Sequence, residues 1–144
     1  VQSKLILFPI VAMVALTFTV AVTMLRRRIG AMKSKRIHPQ KVAMSAQMSA
    51  LIEDSRASDN FRNLFETPVL FYVAIIIIYT GGFICLPHLV LAWGYVFARY
   101  AHSAIQCTSN VVMSRFYAFL TSIVLLLCIW LMLFYQLLTA TQGT

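Results

Sequence analysis

LILFPIVAMVALTFTVAVTML, Leu5 to Leu25, is a run of 21 residues without a charge. At about 1.5 Å of rise per residue a helix of that length reaches roughly 31 Å, the thickness of a bilayer's hydrocarbon core. Only Lys4 precedes the run, and Arg26, Arg27 and Arg28 follow it. A cleaved signal has its basic residues ahead of a shorter apolar region. The run is therefore expected to be an uncleaved transmembrane helix, with Pro9 one turn in, where proline costs a helix least. The rest of the chain has the same character: 144 residues, 60% hydrophobic and 11% charged, with a mean hydropathy of +0.82. Soluble domains are about 45–50% apolar and about 25% charged, and a fold this small cannot bury such an excess. Composition excludes an ordinary cytosolic protein, a disordered tail and a secreted disulfide scaffold. It leaves one integral membrane domain.

Three more apolar segments follow. Pro68 to Leu86 contains a Gly81–Gly82 turn, and its helix is expected to begin earlier, near Ala57. A third segment starts at Pro87, a favourable first helical position, and runs past Cys107. The fourth contains SIVLLLCIWLMLF. The predicted fold is all-α, a four-transmembrane-helix bundle over residues 1–144 with spans near 5–25, 61–84, 87–110 and 116–139. Repeats and Gly/Ser linkers are not evident. The formal charge of +8 is uneven: eleven of twelve basic residues fall toward one face, seven of them between Arg26 and Lys41 with no acid among them. The positive-inside rule makes that face cytoplasmic and both termini external. The basic loop sets topology and meets anionic lipid. Tyr79, Phe83, Phe134 and Tyr135 suit an outer aromatic belt. The bilayer is the expected partner and nucleic acid is not.

Polar residues inside apolar helices are costly, which makes them functional candidates. In RYAHSAIQCTSN, residues 99–110, the polar members Arg99, His102, Ser103, Gln106 and Asn110 form one stripe about 100° wide on a helix. Arg56, Asp59, Arg62, Asn63 and Glu66 form another at the start of the second span. Counted from the outer turn at helical rise, Glu66 lies about 22 Å deep, Arg99 about 18 Å and His102 about 22 Å. The two stripes therefore match in depth, and a Glu66–Arg99 ion pair is expected, because pairing offsets the desolvation of each charge. Arg62, Arg99 and either Arg115 or Arg26 outnumber Glu66 in this region. That surplus calls for a small, flexible, polar anion.

These residues resemble the membrane-associated proteins in eicosanoid and glutathione metabolism (MAPEG). The resemblance rests on Arg62-Asn63-x-x-Glu66 with Pro68, then Arg99-x-x-His102-Ser103, then Arg115, in order along nearly the whole chain. NFRNLFETPVLFYV and RYAHSAIQCTSN are most similar to small bacterial members without an assigned reaction. The resemblance implies a homotrimer that holds glutathione, a small anionic thiol, between subunits, acting as a transferase or peroxidase on a hydrophobic co-substrate from the lipid. It implies that Arg26, Arg62, Asn63, Glu66, Arg99, His102 and Gln106 bind the cofactor and that Arg115, facing the thiol, is the catalytic residue. Gln106 stands where better-known members have a tyrosine, and Phe116 where prostaglandin synthase has a serine. A non-catalytic trimeric ligand-binding or structural protein is therefore the alternative. A transporter is disfavoured, since Glu66 is the single deep carboxylate and the outer half of each span is apolar. Cys85, Cys107 and Cys128 lie at three depths, which argues against disulfides. His38 and His88 have no partner legible in the sequence, and no spacing suggests a metal site.

Overall fold

The computed structural model describes residues 2–51 and 54–141, and among these there is helix and no strand. A 3₁₀ segment, Gln2–Leu7, leads into α1 (Phe8–Ser34). A 3₁₀ turn, Pro39–Val42, and a short α2 (Ser45–Leu51) follow. Then come α3 (Arg56–Asn63), α4 (Thr67–Thr80), α5 (Leu86–Cys107) and α6 (Val112–Thr141). Pro9 falls at the start of α1, where the missing N–H is harmless and the fixed φ favours the helix.

Three helical stretches are long and apolar enough to cross a membrane: Lys4–Ser34, Arg56–Thr80 and Val112–Ala140. Among the described residues α5 does not join them, although its 22 residues reach about 33 Å. Its polar stripe lowers its hydropathy. Topology still makes it the fourth rod. At its start, Gln136 near the end of α6 donates to Cys85 Sγ at 3.8 Å. At its end, Arg27 in the second half of α1 donates to the Cys107 carbonyl at 2.5 Å. Thus α5 runs the length of the bundle between two spanning neighbours, packing most extensively on α6.

The second rod is not the continuous helix expected from Ala57 onward. It breaks at Leu64–Glu66, where Phe65 N donates to Arg62 O at 3.0 Å and Glu66 N to Asn63 O at 3.3 Å. The cause is Pro68, which has no N–H for the Leu64 carbonyl and whose ring would crowd it. α1 in turn continues nine residues past Leu25, so its basic end projects beyond the apolar run.

The core is one stripe from each rod: Met13, Leu16 and Val20; Phe71, Ala74, Ile75 and Ile78; Ala92, Tyr95 and Val96; Leu126, Ile129 and Leu133. Phe71 and Tyr95 stack with centroids 4.5 Å apart. The outward faces are equally apolar, with Phe18, Phe97, Leu127 and Leu131 exposed, as lipid contact requires. Lipid provides no hydrophobic drive between helices, so close packing and polar links hold the rods together. One such link runs from the Tyr100 hydroxyl to the Ala12 carbonyl, 2.8 Å.

The outer turn depends on two glycines. Gly82 has φ 73°, and a Cβ on Gly81 would lie 2.5 Å from the Phe83 ring. Gly82→Ala is expected to lower stability in detergent by about 1–2 kcal/mol, the cost of a left-handed non-glycine residue. Gly30→Ala, inside α1 with open space around it, should hold or raise stability. Thermal unfolding followed by circular dichroism compares the two.

Candidate functional site

At the basic end, α3 and the start of α6 face the second half of α5 across a cleft of about 420 Å³, within the usual range for small-molecule sites. Asp59, Arg62, Asn63 and Glu66 form one wall. They recur at helical spacing, and the tight turn after Asn63 keeps Glu66 on that face despite the break. His102 and Gln106 on α5 contribute the opposite wall, and Val112, Arg115, Phe116 and Phe119 on α6 close it. Both α5 side chains are almost wholly buried, and His102 Nδ1 and Gln106 Oε1 have no hydrogen-bond partner.

Arg115 is placed by a turn. Asn110 adopts φ 50°, a conformation asparagine tolerates better than most residues. Its N–H donates to the Ile105 carbonyl at 2.7 Å, reversing the chain after α5. Its Oδ1 accepts from Arg115 Nη1 at 2.7 Å. One edge of the guanidinium is thereby fixed, and the side chain lines the cleft.

Arg99 has 0% exposure and lies behind the wall rather than in it. The Glu66–Arg99 ion pair expected from depth does not form; among the described residues the ion pairs involve Asp54 with Arg27 and Arg56. Arg99 Nη2 instead donates to Asn63 Oδ1 at 2.5 Å, and the guanidinium carbon lies 5.8 Å from the centroid of the Phe119 ring. Its Nε and Nη1 have no partner. Depth fixed the height of both residues but not their direction around the helix. Asn63, one turn before Glu66, is the side chain that meets Arg99. Arg26 is exposed and does not line the cleft of its own chain. With Asp59 present, the lining charges are Arg62 and Arg115 against Asp59 and Glu66, so the positive surplus comes from Arg99 just behind.

Three features escaped the sequence reading. Asn60, fully buried, accepts from Ser103 Oγ at 3.1 Å and donates to Cys107 Sγ at 3.3 Å. It sits one residue off the polar stripe, on the face it shares with buried Ala57 and Leu64; that register was the available signal. Phe119, three residues after Phe116, touches both Arg99 and His102. Asp54 holds Arg56 through two oxygens at 2.8 and 3.0 Å and Arg27 at 3.6 Å. Those arginines donate to the Thr108 and Cys107 carbonyls, so cations cap the negative end of the α5 dipole. The histidines have neighbours after all: His88 Nδ1 lies 3.0 Å from the Phe83 carbonyl and 3.2 Å from Cys85 Sγ, and His38 accepts from Gln40 N. The three cysteines are free. Among the described residues no cluster is placed to hold a metal.

Two outcomes follow. Asn63→Ala should cost about 1.5–3 kcal/mol, the value of a hydrogen bond to a charged group, whereas Glu66→Gln should leave stability nearly unchanged; thermal unfolding of both variants decides. The hydrogen bond from Arg56 holds the Asp54 carboxyl below its ordinary range. A lowered folded value means the clasp contributes fully above the unfolded pKa and is lost as pH falls through the folded one. Stability should therefore drop more in wild type than in Asp54→Asn as the pH falls below about 4, the ordinary aspartate value, as a pH series of unfolding curves would show.

No curated protein and no solved structure matches the chain significantly. The MAPEG family model does match, over residues 6–135. That range contains the whole cleft and most of every rod. Members of this family are helical membrane bundles and generally use glutathione. By this match and by its apolar, membrane-length helices, the chain belongs to the MAPEG family and is an integral membrane protein.

Proposed function

We propose that the cleft binds glutathione, or a related small anionic thiol, for transfer to, or peroxide reduction of, a hydrophobic co-substrate arriving through the lipid. The observation that carries this reading is the convergence of Arg62, Asn63, Glu66, His102, Gln106 and Arg115 on one cleft, with fully buried Arg99 immediately behind it. The residues present fit the ligand. Glu66 and Asp59 suit its ammonium group, and Arg62 with the field of Arg99 suits its carboxylates. The partnerless His102 Nδ1 and Gln106 Oε1 match its peptide groups. When bound, glutathione supplies a sulfur nucleophile or reductant. Arg115 favours the thiolate form of any thiol beside it, since a nearby cation stabilises the charged state. Val112 and Phe116 line the cleft and are exposed at the surface, a route for an apolar co-substrate from the bilayer.

Arg26 is turned outward on its own chain. In this reading it acts only on a neighbouring subunit's cleft, which supports a homotrimer with shared sites. The basic end belongs on the cytoplasmic side, with both termini outside, in a bacterial inner membrane. The second reading is a protein that binds the thiol without chemistry, and Gln106 favours it: an amide at this position gives a hydrogen bond but no aromatic packing.

Calorimetric titration of the purified protein with glutathione, with ultraviolet difference spectra for thiolate, tests the proposal. Binding with a thiolate signal is expected. Arg115→Ala should abolish that signal and weaken binding about tenfold, the loss of a charge-assisted hydrogen bond. Binding without thiolate selects the second reading. No binding at millimolar ligand overturns both.

A further inference from the structure

The turn between α5 and α6 admits three residues at position 110. A φ of 50° suits glycine best, and asparagine and aspartate tolerate it better than other residues. Glycine would close the turn and leave Arg115 untethered. Aspartate would close it and hold Arg115 as an ion pair. Aspartate would also suit the start of α6. Position 110 lies two residues before Val112, where α6 begins, and the first turn of α6 contains Arg115 and no acid. A cation there opposes the helix dipole, and an anion complements it. For stability alone aspartate is the better residue, yet the chain has the neutral amide.

The amide does what a carboxylate cannot. Its Oδ1 accepts from Arg115 Nη1 at 2.7 Å, which fixes the direction of the guanidinium without neutralising it. Among the described residues no acid forms an ion pair with Arg115. Val112, Arg115 and Phe116 of the first turns of α6 line the cleft, so the free charge and the positive end of the helix act on the same space. We infer that Asn110, which lies outside the cleft lining, is a positioning residue that sets the charge preference of the cleft at the ligand's sulfur. It aims Arg115 at that position and keeps the cation unpaired, so a negative group is preferred there over a neutral one of similar size. The inference rests on the proposed thiol site and adds to it the residue that decides its selectivity for charge.

Two glutathione derivatives provide the test, because they share the peptide and differ at sulfur. Glutathione sulfonate has a fixed negative charge there, and S-methylglutathione has none. Calorimetric titration of the purified protein with each gives a ratio of affinities, which partial loss of folding leaves unchanged because it weakens both alike. In wild type the sulfonate should bind about tenfold tighter, the value of one hydrogen bond to a charged group. Asn110→Asp should bring the ratio to within about twofold of that in Arg115→Ala, since a carboxylate in contact cancels the field of the guanidinium. Its unfolding temperature should nevertheless hold or rise. Asn110→Gly keeps the turn and loses the tether, and should lower the ratio about threefold, part of the value of that bond. Either variant at the wild-type ratio overturns the inference while the thiol site stands, and so does a wild-type ratio near one. If neither derivative binds the wild type at millimolar concentration, the thiol site fails and the inference fails with it.

Discussion

A guanidinium with no exposure to solvent, in a bundle whose outer faces are lipid-apolar, is the constraint on which the basic end is organised. Arg99 must keep its charge, and a charge taken from water is costly unless polar groups replace its hydration. Asn63 Oδ1 and the face of Phe119 supply part of that replacement. This fixes where α3 lies along α5, and where α6 lies against both. The link from Asn60 to Ser103 repeats the α3–α5 contact one turn further from the bilayer centre. The clasp of Asp54 with Arg27 and Arg56 then ties the end of α5 to the loop. The cleft is what remains between elements set by these polar contacts.

The class of fold was legible because it is written in uninterrupted apolar length. Leu5 to Leu25 and the run inside α6 admit one reading, and the one-sided charge gives the bundle two distinguishable ends. The stripe Arg99, His102, Ser103, Gln106 is the buried face of α5, as 100° spacing implies. The Asn63, Glu66 and Arg115 set meets it in one cleft. Periodicity along one helix and matched depth across two were enough for Asn63 and Glu66; Arg115, on a third rod, was reached through the family resemblance.

What escaped was direction and interruption. Matched depth paired Arg99 with Glu66, but Asn63 faces it. Pro68 was visible in the sequence, yet its effect on the carbonyl four residues earlier decides where α3 ends. Asp54 lies outside both stripes, and its arginine partners are 27 residues upstream and two downstream, a pairing that only the fold brings together. Whether Arg26 serves a neighbouring chain is a property of assembly, on which the periodicity of a single chain is silent.

The polarity of α5 has a consequence for how the protein reaches its membrane. A helix with arginine, histidine and glutamine on one face is a poor candidate for insertion alone, since a central arginine costs about 2.5–3.5 kcal/mol even by biological scales. α6 follows after only a short turn and is apolar throughout its long middle. The two rods are each other's most extensive neighbours. Insertion as a hairpin lets α6 bring α5 in with its polar face already turned toward protein. The helix that closes the cleft is thus also the one whose Phe119 covers Arg99 and His102 on the polar face of α5.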